Sequence, residues 1–430
     1  MNYAATRAAS NMEEAGERWR DRNGRSSSPK KTDGFIISTL FTEQTRMNNH
    51  STANPILASL GTPCLLVDEE RMERNVARLR DRLRAAGVAF RPHLKTAKSW
   101  EVSRRLMTTP EGPATVSTLR EAEELAAHGV KDITYAVGIS PDKLARVQKL
   151  RAGGTALTIL LDSVEQAQAV AKASDPKDPI PVLIELDCDG HRSGVKPQDA
   201  TLLVAIAQAL APRARLEGVL THAGESYEAR GSKALAAAAE QERAAAVMAA
   251  ETLRAKGWPC PVVSVGSTPT AFSAQSYAGV TEVRAGVFVF FDLVQAGIGI
   301  CSQDDIALSV LTTVIGHQRE KGWTIIDAGW TALSSDRGTA TQDVDQGYGL
   351  VCDLAGRPIT NLIVTNVNQE HGIVAARPGA PRSDQEFPIG TRLRILPSHA
   401  CATATHHDRY HVIGVGQSDV TAVWPRFTGW

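Results

Sequence analysis

Val88-Ala-Phe-Arg-Pro-His-Leu-Lys-Thr96 is the stretch on which the reading of the fold turns. Three apolar residues lead into a Pro, a His and a single Lys, which reads as a strand over 88–94 ending in reactive side chains. Barrels and doubly wound sheets mount their reacting groups at the C-terminal ends of strands. A Lys held there is partly desolvated, which frees its amine for imine chemistry. His93 lies two residues before Lys95, a spacing that puts both side chains on one face of a strand.

Working outward, strand and helix alternate. Cys64-Leu-Leu-Val67 predicts a strand and Asp68 a helix N-cap. Met72, Val76, Leu79 and Leu83 then form a helical stripe over 69–86. Further strands are expected at 114–118, 132–137, 156–161, 181–187, 216–221, 262–265 and 281–290. Helices are expected at 97–108, 119–128, 141–152, 163–174, 197–211 and 232–256. With 88–94 this makes eight strands, most of them separated by helices. That pattern fits a (β/α)8 barrel, which usually takes about 250 residues, and we assign it 54–297. A doubly wound open sheet is disfavoured because no strand is followed by a GxGxxG turn.

From 298 to 430 the texture changes. Short apolar or alternating runs at 307–314, 323–326, 362–364, 372–374, 392–395 and 410–413 are broken by Gly, Pro and Asp. Helical periodicity is absent, and an all-β domain is expected. The strand near 62–67 precedes the first barrel helix and is a candidate to pair with that domain. Residues 1–53 read as a disordered N-terminal extension, polar over 24–33 and 47–53. Glu13, Glu14, Glu17 and Asp21 make it too acidic for a transit peptide, and Met47 is a candidate for the biological start.

Lys+Arg and Asp+Glu both number 47 in 430 residues, so nothing argues for a nucleic-acid partner or an anionic membrane face. No apolar run approaches the roughly 18 residues of a membrane span. The six cysteines are scattered with no CxxC pair, which suits a reducing cytoplasm. The expected partner is a small molecule.

Several constellations could gather at the C-terminal mouth of such a barrel. An amine like Lys95 is expected to hold pyridoxal phosphate. His222, at the end of the sixth strand, could stack on a flat heterocycle or move protons. Gly266-Ser-Thr-Pro-Thr270 follows the seventh strand, and Arg284-Ala-Gly-Val287 lies in the eighth. The loops after strands 7 and 8 are the phosphate site of many barrels, and small hydroxyls with glycine amides suit a phosphate monoester. Arg192, in Asp189-Gly-His-Arg-Ser-Gly194, could clamp a substrate carboxylate or the cofactor's phenolic oxygen. Arg284 could face the pyridine nitrogen; an Arg there stays charged and keeps that nitrogen unprotonated. In Pro397-Ser-His-Ala-Cys401, an extended strand would present His399 and Cys401 to one side. Imidazole and thiolate form a soft pair suited to Zn2+ in an open catalytic site.

Taken as a set, these motifs resemble the fold-type III pyridoxal-phosphate enzymes, in the branch of D-serine dehydratase and D-threonine aldolase, relatives of alanine racemase. Thr221-His-Ala-Gly, Asp327-Ala-Gly-Trp, Ser335-Asp-Arg-Gly-Thr-Ala and Gln369-Glu-His-Gly carry it further. It runs from about residue 55 to the C-terminus. The resemblance implies a barrel plus a β domain, and a homodimer whose β domain completes the partner's active site. It implies Lys95 as the imine residue, with His93 and His222 beside it in catalysis. The cofactor would be held by Arg192, His222, Tyr227, Gly266, Ser267, Thr268, Arg284, Gly286 and Val287. His399 and Cys401 are implied as metal ligands, for Zn2+ or else Mn2+ or Co2+.

The His-x-Cys pair leans towards the dehydratases, since the aldolases of this branch usually carry His-x-Asp. The expected reaction is therefore loss of water and ammonia from a D-3-hydroxy amino acid, such as D-3-hydroxyaspartate or D-serine, giving a 2-oxo acid. The alternative is retro-aldol cleavage to glycine and an aldehyde, with His93 or His222 as the base. A racemase would need a second base, and a carrier of the cofactor would lack the long β domain. Arg337 and His371 are candidates to meet a second substrate carboxylate.

Overall fold

In the computed structural model, which describes residues 56–383, 386–414 and 419–430, the alternation read from the sequence closes into a barrel. The N-terminal extension and Met47 lie outside the described residues. The chain opens with β1 (Cys64–Asp68), α1 (Glu69–Ala85) and β2 (Ala89–Phe90). There follow α2 (Trp100–Leu106), β3 (Ala114–Val116), α3 (Leu119–Ala127), β4 (Asp132–Gly138), α4 (Leu144–Ala152), β5 (Ala156–Leu161) and α5 (Val164–Ala173). The barrel is completed by β6 (Pro181–Leu186), α6 (Ala200–Leu210), β7 (Arg215–Thr221), α7 (Gly231–Ala255), β8 (Val262–Val265), α8 (Thr268–Ser273), β9 (Glu282–Val283) and α9 (Leu293–Gly297).

Local chemistry sets these boundaries. The Asp68 carboxylate accepts from the Arg71 amide at 3.0 Å and caps α1; Glu69 and Glu70 follow in the first turn, Arg82 and Arg84 in the last. That arrangement matches the helix dipole at both ends. One face of α1, Met72, Val76, Leu79 and Leu83, is buried against the sheet. Inside the barrel, Leu160, Leu183 and Leu220 form a separate cluster with Ala136 and Val262 against it.

The eight strands β3 to β9 and β2 are parallel neighbours in that order. Closure runs through the stretch that opened the reading. The Arg91 and His93 amides donate to Val283 and Ala285 at 3.0 and 2.8 Å, while Thr115 donates to Pro92 and Leu94 to Thr115, both at 2.8 Å. The stretch 91–94 is thus bonded on both sides although β2 itself is two residues long. The expected strand at 281–290 is equally short: β9 also has two residues, and Val287–Val289 is a 3-10 turn. Phe288, Val289, Phe290 and Phe291 are fully buried there. A buried turn and a buried strand present the same apolar run in sequence.

The second unit contains β10 (Leu308–Gln318), β11 (Trp323–Ile326), α10 (Trp330–Leu333), β12 (Gly349–Cys352), β13 (Pro358–Val367), β14 (Gly372–Ala376), β15 (Arg392–Pro397), α11 (Ala400–Thr405), β16 (Arg409–Ile413) and β17 (Val420–Pro425). Strands β10, β11, β14, β13, β12 and β15 pair in a closed ring. The long β10 also pairs antiparallel with β1, which lies parallel to β16, itself paired with β17. The strand before the barrel is therefore part of the C-terminal sheet. Two of its strands, β12 and β17, are absent from the sequence reading.

Candidate active site

Lys95 follows the closing stretch of the barrel and is half-buried. It opens, with His93, on a cavity of about 510 Å3 at the C-terminal ends of the strands. The structure does not put these two on one face of a strand, because 94–97 is already a turn. The pair meets instead across that turn, the Lys95 amide lying 3.4 Å from His93 Nδ1.

Each further strand end adds a group to the same cavity. His222 follows β7; its Nδ1 lies 3.0 Å from the Gly266 carbonyl, a contact that puts the ring proton on Nδ1 and leaves Nε2 free of it. Burial first, then the charges of Lys95 and Arg192, push its pKa down to about 3. His93 is held well below its ordinary value, again chiefly by burial and then by Lys95. Both imidazoles are neutral at neutral pH. Arg284, after β9, is buried and donates to Ser264 Oγ at 2.6 Å and to the Thr221 carbonyl at 2.7 Å. Burial lowers its pKa to about 10, so it stays charged.

The loops after β8 and β9 meet closely. Gly266 has φ +141°, and a Cβ there would lie 1.9 Å from the Arg284 carbonyl oxygen, so only glycine fits. A Cβ on Gly286 would approach the His93 carbonyl to 2.8 Å. Ser267 is no mere turn residue: it caps α8, exchanging bonds with Thr270 in a capping box, and its Oγ lies 2.8 Å from Ser226 Oγ. Glu242, from α7, locks the rim by accepting from the Ala223 and Gly266 amides at 2.9 and 3.0 Å. Tyr227 ends a 3-10 turn after β7 and bonds the Thr268 backbone; its ring centroid lies 6.2 Å from that of His222. Arg192 stands half exposed at the mouth, 3.7 Å from Glu185.

The opposite wall comes from the C-terminal unit. His399 and Cys401 are not in an extended strand: β15 ends at Pro397, α11 starts after His399, and Cys401 is in its first turn. Both still face the cavity. His399 Nδ1 lies 2.7 Å from Asp336 Oδ2. Burial opposes charge on His399, but the bonds to Asp336 and Cys401 raise its pKa well above the ordinary value. Burial pushes the Cys401 thiol up, yet the hydrogen bond and charge of His399, with Lys95 and Thr96, bring it below normal. Thr96 Oγ1 is 3.1 Å from Cys401 Sγ, so the loop of the amine touches the thiol.

A profile of the alanine racemase N-terminal domain matches residues 67–294, and one of a putative serine dehydratase domain matches 307–413. The chain belongs to the alanine racemase N-terminal-domain family. It is 53% identical over 378 residues to the D-threo-3-hydroxyaspartate dehydratase of a Delftia strain, covering 87% of this chain and 99% of that one. A 3-hydroxy-D-aspartate aldolase of Paracoccus denitrificans is 29% identical, over 86% of this chain and 92% of its own. Two solved variants of the dehydratase align with TM-scores of 0.85 and 0.84 at 52% identity, over 88% and 87% of this chain and 97% and 100% of theirs. One has a histidine replaced by alanine. The other has a cysteine two positions further on replaced, and is described as metal-free.

Within this family member, the residues singled out in the sequence reach one cavity: His93, Lys95, Arg192, His222, Tyr227, the Gly266 and Gly286 loops, Arg284, His399 and Cys401. The two candidates for a second carboxylate do not. Arg337 is paired with Asp345 over the Tyr348 ring, and His371 is exposed at the turn between β13 and β14. The chain's own C-terminal unit brings the His–Cys pair to the loop of Lys95. Three acidic residues escaped the sequence reading: Glu242, Asp336, and Asp292, which caps α9 and accepts from the Ala400 amide at 2.9 Å. The signal for Asp336 was its place in Ser335-Asp-Arg-Gly; Asp292 had none.

Proposed function

We propose that the chain is a pyridoxal-phosphate- and divalent-metal-dependent dehydratase of D-3-hydroxy amino acids, releasing a 2-oxo acid and ammonia. The observation that carries this is a single cavity with Lys95 on one wall and the Asp336–His399–Cys401 chain on the other. The residues fit both groups. Gly266 and Gly286 let the loops after β8 and β9 pack closely at the cavity, beside the capped start of α8. With its Nδ1 on Asp336, His399 keeps Nε2 for a metal, and Cys401 is tuned towards the thiolate that binds one.

Pyridoxal phosphate, when bound, supplies an electron sink, and the metal supplies a Lewis acid for the β-hydroxyl. Lys95 anchors the cofactor and takes the Cα proton on its amine, from the face that a D-amino acid presents. Gly266, Ser267, Thr268, Gly286 and Val287 hold the phosphate. His222 would offer the cofactor a flat neutral face, fixed by its bond to Gly266, with Tyr227 beside it. Arg284, held by Ser264 and Thr221, would meet the ring nitrogen as a cation. Arg192 binds carboxylate or phenolic oxygen at the mouth. Zn2+ suits the imidazole–thiolate pair, with Mn2+ or Co2+ as substitutes.

Retro-aldol cleavage is less supported, because the dehydratase relative is 53% identical to this chain and the aldolase relative 29%. No described helix is long and apolar enough to cross a membrane. Six free thiols suit a cytoplasmic enzyme, and the family resemblance supports a homodimer. The test is a panel of D-3-hydroxyaspartate, D-serine and D-threonine, with and without chelator. Oxo acid and ammonia, lost on chelation and in Lys95→Ala, are expected; glycine and aldehyde would refute dehydration.

A further inference from the structure

Helix α11 carries Cys401 and starts after His399, yet it is six residues long. A helix so short does not hold itself together in water, and its last carbonyls have no partners within it. Arg426, at the end of β17, supplies them. Its Nη1 donates to the carbonyls of Ala404 and, at 2.6 Å, of His407. A cation there also meets the negative end of the helix. The same guanidinium reaches the other way. Its Nε donates to the Ala97 carbonyl at 3.2 Å and to the Tyr410 oxygen at 2.9 Å, and the Tyr410 hydroxyl donates to Ala97 at 2.6 Å. Ala97 lies two residues beyond Lys95. The Phe427 amide adds a bond to the Lys98 carbonyl at 2.5 Å.

One buried fork of donors thus links the loop of the amine to the helix of the thiol. Arg426 is 7% exposed and Tyr410 fully buried, so these bonds are shielded from water. Neither residue lines the cavity. We propose that Arg426, with Tyr410, is a positioning residue that sets the separation between the Lys95 amine and the metal ligands. The inference rests on the metal-dependent reading above. A Lys at 426 keeps the charge but cannot donate in several fixed directions. Other ties to α11 remain in such a variant: Asp292 to the Ala400 amide, and Thr403 Oγ1 to the Leu333 carbonyl at 2.8 Å. The helix should therefore shift rather than unravel.

The experiment uses the full chain, wild type, Arg426→Lys and Tyr410→Phe. Each is loaded with pyridoxal phosphate, stripped of metal and titrated with Co2+, following the thiolate-to-cobalt absorption. Arg426→Lys should bind Co2+ about tenfold more weakly, the low end of the effect of losing a direct outer partner because Arg426 acts through α11 and not on a ligand, and keep its cofactor absorbance. Tyr410→Phe removes one of the two links to Ala97 and should move the same way by less. Tyr410→Phe also serves as the test if Arg426→Lys does not fold. Wild-type Co2+ affinity in a folded variant, or cofactor and metal lost together, overturns the inference alone. A wild-type chain that binds the cofactor but no Co2+ overturns the metal-dependent reading and the inference with it.

Discussion

His222 shows at the scale of one residue how burial sets chemistry. Its pKa falls to about 3, against about 6.5 in an unfolded chain. Between those values the unfolded chain binds more protons on this ring than the folded one. Stability on this account is complete above about pH 6.5 and is lost as pH falls through the window. At pH 5 the loss is at most about 2 kcal/mol, and His93 adds to it with the same sign. Urea midpoints of the cofactor-free protein should therefore drop from pH 7 to pH 5, and drop less in His222→Gln; equal drops would contradict the assignment. On the metal-dependent reading proposed above, Asp336 would act by orientation instead, through its contact with His399 Nδ1. Asp336→Asn should weaken metal binding by about tenfold to a hundredfold in a metal titration, with cofactor absorbance unchanged. Lys95, His222 and Cys401 were legible because their types carry the chemistry wherever they stand. Asp336 and Asp292 were not, because a carboxylate gains its role from the neighbour that folding brings to it.

Whole elements were legible in proportion to their length. Helices α1 and α7 announce themselves by a long apolar stripe, and β5 and β8 stand where their runs place them. Helices α8 and α11, each six residues, are too short for a period to register. In α8 a Pro in the first turn, which costs a helix nothing there, disguises it as a turn. The rim also depends on a chain of side chains that crosses several strands. Arg284 donates to Ser264, Ser264 donates to Glu282 at 2.7 Å, and Glu282 takes Arg91 Nε at 2.7 Å. Arg91 in turn grips both oxygens of Asp132 at 2.7 and 3.2 Å. Ser264 is fully buried in the middle of this chain. Ser264→Ala leaves a buried charged donor and a buried carboxylate oxygen unpaired, at about 1–3 kcal/mol. The urea midpoint should fall by that amount, and pyridoxal phosphate should bind more weakly as Arg284 loses its hold; an unchanged cofactor affinity would assign Ser264 to stability alone.

At the scale of the molecule, sequence order and spatial order part company, and the site depends on where they do. Composition told little here, since a balanced charge excludes partners without choosing an architecture. The strand β1 comes before the barrel yet lies between β10 and β16, with Leu65, Leu66 and Val67 buried and Asp68 already capping α1. The first barrel helix is thus started by a strand of the other sheet. Helix α11 depends on the barrel in return, since Thr96 and Asp292 bond it directly and Ala97 holds it through Arg426. The two units are therefore expected to fold as one. A chain cut after Gly297 would keep all eight barrel strands but lose both partners of β1. It would also uncover an apolar edge strand open to pairing with other chains. Circular dichroism of residues 56–297 should show no cooperative melt, and the fragment should not retain pyridoxal phosphate on desalting, although Lys95 and both proposed phosphate loops are present. A soluble fragment that melts sharply and holds the cofactor would show that the barrel stands alone and that β1 is only an appendage.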